Sequence, residues 1–208
     1  ASGGAGTGGA GGDAGAGGAG AGGAGAGGCP LGLPGPELLQ VPTPGGGSYC
    51  IDRTEVTNAQ YADFLASNPG GSGLSQCSFN ASYTPEINGT TCKSPLPYDP
   101  VGKPDHPVTC VDWCDAEAYC AWAGKRLCGQ IGGGTNAPAA FADATQSQWY
   151  NACSKGGTQT YPYAGAYNGA KCNGVDYPST GPVPVVQATL CVGGYPGLHD
   201  MSGNVWEW

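Results

Sequence analysis

Two carboxylates, Asp200 and Glu207, flank a turn in the segment Gly197–Trp208, which reads GLHDMSGNVWEW. Carboxylate oxygens joined by the carbonyls of a tight turn are hard donors of the kind that hold calcium. Asp200, Ser202, Gly203 and Asn204 are turn-forming types. Val205–Trp208 alternate as a strand would, with Trp206 and Trp208 on one face and Val205 and Glu207 on the other. Two indoles on one face ask for a deep core. Glu207 between them would be an isolated charge beside that core unless it held a ligand. The plainer alternative is that Asp200 caps the turn and Glu207 is a solvated strand residue.

Sulfur is the other reactive element. The eleven cysteines are Cys29, Cys50, Cys77, Cys92, Cys110, Cys114, Cys120, Cys128, Cys153, Cys172 and Cys191. None is spaced C-x-x-C, so zinc knuckles and thioredoxin-like redox motifs have no support. The pattern points to a disulfide-stabilised, extracytoplasmic protein, secreted or surface-tethered. An odd total leaves at least one cysteine unpaired, modified or paired elsewhere. Cys77/Cys92 and Cys172/Cys191 bracket loop-like stretches and are the expected local bridges, although spacing alone does not fix connectivity.

Other chemistries fall away. His106 and His199 lie on different elements, and the chain has no G-x-S-x-G, P-loop or dinucleotide-binding glycine pattern. Gly132-Gly133-Gly134 lacks the Lys-Ser/Thr that a phosphate loop needs. A net charge of −8 with no basic run argues against nucleic acid and anionic membrane surfaces as partners. No apolar run approaches the ~18 residues of a membrane span. Asn80-Ala81-Ser82 and Asn88-Gly89-Thr90 match the N-glycosylation triplet.

The elements that must position these groups begin after residues 1–35, a Gly/Ala-rich flexible linker whose first 28 residues carry no large apolar side chain. Leu38–Pro42 reads as an edge strand, Gly45–Gly47 as a turn and Tyr49–Val56 as a second strand. Thr57 and Gln60 form a capping box, with Val56 and Tyr61 at staple positions and Tyr61, Phe64 and Leu65 as the apolar stripe of a first helix. Residues 70–104 read as irregular. Asp112 is the expected N-cap of a second helix carrying Trp113, Ala116, Tyr119, Cys120 and Ala123, with Gly124 at its end. A third helix is expected from a Thr145/Gln148 capping box, and 167–196 as loop.

Four blocks of this sequence resemble the formylglycine-generating enzyme (sulfatase-modifying factor) family. Gly197–Trp208 is similar to the family's GLYDMSGNVWEW, with His199 as the main departure. Glu55–Tyr61 with Phe64 looks like EVT-x-x-Q-Y-x-x-F, and His106–Trp113 like HPV-x-x-V-x-W. Asp115–Leu127 follows DA-x-AYC-x-WAGKRL. The family runs on directly into Pro-Thr-Glu-Ala-Glu-Trp-Glu, whereas this chain inserts Cys128–Ala144 before resuming at Thr145. Gly156-Gly157 and Tyr161-Pro162-Tyr163 correspond to its GG and YPWG.

The resemblance implies an α+β, C-type-lectin-related fold with little regular structure and long loops over residues 36–208. It implies a structural calcium site at Asp200, the carbonyls of Gly203 and Val205, and Glu207. It suggests another at Asn173, Gly174 and Asp176, where an Asn-Gly turn closed by Cys172/Cys191 is the preferred reading. Family enzymes use copper held by two cysteines placed after GNVWEW, so copper is expected only if a further C-terminal part carries that pair. The domain is accordingly expected to be incomplete at its C-terminus, with Trp206 and Trp208 incompletely covered, and no catalytic residue is named. The iron-dependent sulfoxide synthases of the same family need several histidine ligands, and two do not suffice. Two functions follow: oxidation of a cysteine in a sulfatase-type peptide to formylglycine, or a non-catalytic module that binds another protein or a glycan.

Overall fold

A computed structural model describes residues 2–3, 28–70, 74–86, 92 and 97–208. Most of the expected linker and the Asn88 triplet lie outside the described residues. Strand β1 is Ser2–Gly3, β2 Leu38–Pro42 and β3 Ser48–Asp52. The β2 and β3 strands pair antiparallel from Leu38↔Asp52 to Pro42↔Ser48, through a turn closed by Thr43 N donating to Gly47 O at 3.1 Å. Strand alternation sends Val41, Tyr49 and Ile51 inward. β1 lies between β3 and β4 (Arg126–Leu127), pairing with both.

Three α-helices lie among the described residues, the second against β1 and β4 and the first against the second. Helix α1, Asn58–Ala66, starts at the expected Thr57/Gln60 capping box. Helix α2, Trp113–Trp122, is capped by Asp112, and Asp115 returns the contact to the Asp112 N–H. Gly124 ends it in the left-handed region at φ 68°. Helix α3, Gln148–Ser154, corrects the expected start: its N-cap is Ser147, not Thr145. Asp143 Oδ1 takes both the N–H and the hydroxyl of Thr145. Gln148 Oε1 accepts instead from Arg126 Nη2 and Gly129 N, at 2.8 and 3.1 Å. The capping-box side chains are thus engaged elsewhere.

Three apolar clusters form among the described residues, the smallest of them Tyr163, Cys172, Ala188 and Cys191. Val41, Tyr49, Ile51, Ala152, Leu198 and Met201 pack between the sheet, α3 and the C-terminal segment. Tyr61, Phe64, Ala118, Tyr119, Cys120 and Ala123 pack between α1 and α2. A buried ion pair sits at the junction: Lys125 Nζ lies 2.6 Å from Asp52 Oδ1, both side chains fully covered, and donates to Pro36 O at 2.7 Å. Gly35, at φ 82°, passes so close that a Cβ would run into the Tyr119 hydroxyl.

Four disulfides staple the chain: Cys29–Cys50, Cys77–Cys114, Cys92–Cys110 and Cys172–Cys191. The last agrees with expectation, whereas Cys77/Cys92 is overturned. A 3-10 turn, Ser75–Cys77, puts Cys77 against the first turn of α2, and Glu86 N donating to Cys110 O brings the next stretch alongside Cys110. Asn80 Nδ2 donates to Asp115 Oδ1 at 2.7 Å, so the glycosylation nitrogen of that triplet is engaged in the fold.

The expected strand at Val205–Trp208 is also corrected: these residues join no ladder. Trp206 is 100% exposed and Trp208 54%. Both indoles are incompletely covered, as expected, and do not enter the deep core that the alternation asked for, while Glu207 turns inward to Trp149. Left-handed Gly203 and Asn204, at φ 91° and 60°, break the extended path before the alternation begins.

Candidate functional site

The segment 200–207 is clamped on three sides. Leu198 and Met201 anchor it in the first cluster, while Asp200 N donates to Cys191 O at 3.0 Å beside the Cys172–Cys191 bridge. Gly203 packs so tightly on the 172–174 loop that a Cβ would stand 2.6 Å from Asn173 O. Asn204 N donates to that carbonyl at 2.8 Å.

Asp200 is buried in left-handed geometry at φ 56°, and its Oδ2 accepts from Val186 N at 2.7 Å. It ties a neighbouring loop to the segment rather than capping its own turn. Glu207 Oε2 accepts from Trp149 Nε1 at 2.5 Å, so it is no solvated strand residue. Both predicted carboxylates therefore belong to the protein side of one short segment, which also carries the Gly203 and Val205 carbonyls. Asn173 and Asp176 behave otherwise. Asn173 Nδ2 donates to Gly181 O and Asn204 Oδ1, and Asp176 Oδ2 accepts from the Tyr167 hydroxyl, in a loop closed by Cys172–Cys191.

Sequence reasoning missed Glu55. It is buried, its Oε2 accepts from Asn204 Nδ2 at 2.8 Å, and its Oε1 is a buried oxygen with no hydrogen-bond partner. Burial, and then the Glu207 charge, push the Glu55 carboxyl well above its ordinary range, with Asp200 adding to the effect. Burial, with a smaller contribution from the Glu207 charge, pushes Asp200 up to about 6 against the pull of the Val186 N–H. The Glu207 charge thus disfavours the ionised forms of both Glu55 and Asp200. Among the described residues no three His, Cys, Asp or Glu side chains converge as a metal cluster. A cation here would rest on Asp200, Glu207 and main-chain carbonyls.

The segment also walls a groove of about 940 Å³ between Val108–Asp112 and the 173–182 loop. Trp206 and Trp208 line it, and Trp208 Nε1 donates to Val111 O at 3.0 Å.

These carboxyls set a pH dependence. Folded Asp200 and Glu55 keep protons that the unfolded chain releases once pH passes about 4. Native protein then binds more protons than unfolded, so stability falls as pH rises through these folded values. In chelator, the urea midpoint is expected to be higher at about pH 5 than at about pH 7.5. An equal or higher midpoint at the upper pH would contradict this assignment.

The family described as sulfatase-modifying factor enzyme 1-like domain matches residues 46–208. Among curated proteins, the chain is 27% identical to a formylglycine-generating enzyme of Bos taurus, over 77% of this chain and 48% of that protein. It is 28% identical to a hercynine oxygenase of Mycolicibacterium thermoresistibile, over 77% of this chain and 35% of the other. It is 32% identical to an inactive C-alpha-formylglycine-generating enzyme 2 of Bos taurus, over 51% of this chain and 33% of that one. The chain spans about half the length of the curated relatives it matches. No solved structure matches it with comparable significance.

Proposed function

This chain belongs to the sulfatase-modifying factor enzyme 1-like family, and we propose that its residues 36–208 are the calcium-holding scaffold of a formylglycine-generating domain. That domain works outside the cytoplasm on a cysteine of a sulfatase-type peptide. The observation that carries this reading is the clamped segment 200–207, where buried Asp200 and a third acid, buried Glu55, both feel the Glu207 charge. Asp200 and Glu207 would hold the ion with the Gly203 and Val205 carbonyls, and calcium would supply the positive charge that buried carboxylates lack. Its binding would lock the 183–191 loop, the segment and Trp149 into one unit. Four disulfides support an oxidising compartment. No helix among the described residues is long and apolar enough to cross a membrane.

Copper does not fit the unpaired cysteines. Cys120, Cys128 and Cys153 lie on α2, after β4 and on α3. Burial pushes the Cys128 and Cys153 thiols up to about 12 and raises Cys120 as well, while Cys153 Sγ donates to Met201 O. Cu(I) takes thiolates, and these sites favour the protonated thiol. No step of the oxidation is assigned to them.

The test is to incubate the natural full-length protein, loaded with copper and calcium under oxygen, with a sulfatase peptide and read formylglycine by mass spectrometry. Conversion is expected. An unchanged peptide cysteine would favour a non-catalytic binding module, the reading supported by the exposed Trp206 and Trp208 along the groove.

A further inference from the structure

We propose that Glu55 positions the cation-binding segment by acting through Asn204, a role that rests on the calcium reading of that segment. Asn204 stands between the two main-chain donors, Gly203 and Val205, so its backbone setting fixes where both carbonyls point. It holds the left-handed conformation at φ 60°, which Asn tolerates only with local hydrogen bonds to support it. Those bonds are numerous. Its Oδ1 accepts from Asn173 Nδ2 and Val183 N, each at 2.9 Å, and its Nδ2 donates to Val183 O at 3.1 Å and Glu55 Oε2 at 2.8 Å. All but one of these partners come from the adjacent 173–183 loop. Glu55 alone reaches across 149 positions of sequence, from the end of the first sheet strands.

The cost of keeping Glu55 there argues for a role. A buried carboxylate with one oxygen unpartnered is destabilising on its own account. A neutral apolar residue would fill the same space more favourably, unless the oxygen that meets Asn204 is needed. Glu55 also begins the chain's turn into α1, since Val56 O accepts from Val108 N at 2.9 Å and Thr57 caps the helix. The hydrogen bond to Asn204 therefore references the segment to the rigid β3–α1 junction.

Calcium affinity of the full-length protein, followed by calorimetry and tryptophan emission, separates this role from plain structural support. Glu55→Gln keeps an acceptor oxygen for Asn204 and is expected to bind calcium within about threefold of wild type. Glu55→Ala and Asn204→Ala are each expected to weaken binding by about tenfold or more, and the double variant to be no weaker than Asn204→Ala alone. If Glu55→Ala does not fold, the contrast between Glu55→Gln and Asn204→Ala carries the test. Wild-type affinity in Glu55→Ala, or equal losses in Glu55→Gln and Asn204→Ala, would overturn the positioning role while leaving the calcium site standing. No calcium binding by the wild-type protein would overturn the site itself, and Glu55's role with it.

Discussion

Lys125→Met is expected to destabilise the fold by about 3–5 kcal/mol, because it strips the partner from a charge that has no access to water. Asp52 and Lys125 meet at 2.6 Å with both side chains fully covered, and Asp52 Oδ2 already lacks a hydrogen-bond partner. Lys125 also holds the incoming chain through Pro36 O, so its loss frees the Cys29–Pro36 approach to β2. Typical domain stabilities are only about 5–15 kcal/mol, so the variant should unfold at much lower urea. The double change Lys125→Met with Asp52→Leu removes both charges and should recover most of the loss, since a well-packed apolar pair is often no worse than a buried ion pair. A single variant that unfolds at the wild-type midpoint would show that the pair is solvated in practice.

Phe64→Ala is the second large effect, expected at about 3–5 kcal/mol. Phe64 is wholly buried on the inner face of α1. Its ring lies 5.2 Å from Tyr61, 5.5 Å from Tyr83 and 5.6 Å from both Tyr119 and Trp122. This surround is held from outside: the Tyr61 hydroxyl donates to Tyr83 O, and Cys77–Cys114 ties the 3-10 turn to α2. The cavity therefore cannot collapse cheaply, which places the loss high in the usual range. Val101→Ala, at a side chain 91% exposed, is the control and should stay within about 0.5 kcal/mol. Equal thermal shifts for the two variants would mean that the α1–α2 cluster does not carry the fold.

What the sequence made legible was local. Thr57/Gln60 and Asp112 mark helix starts through side chains that reach only a few residues, and both appear where expected. Cys172/Cys191 was readable because its loop closes on itself, whereas Cys77 and Cys92 each pair across a different neighbour. Thr145 failed as a cap because Asp143, two positions before it, competes for the same donors. The alternation of Val205–Trp208 promised a strand, yet alternation records only which faces differ, not which one is covered. Asp200 and Glu207 were visible as a pair of acids around a turn. Glu55 was not, because no local pattern links it to Asn204, 149 positions on.

The measurement that most directly tests the scaffold reading is a calcium titration of chelator-stripped full-length protein, read by tryptophan emission. Trp149 donates to Glu207 and so reports on that carboxylate directly. A saturable shift below about 1 mM calcium is predicted, lost in Glu207→Ala and in Asp200→Asn. Emission unchanged up to millimolar calcium, or a shift that both variants retain, would contradict a cation held at Asp200–Glu207.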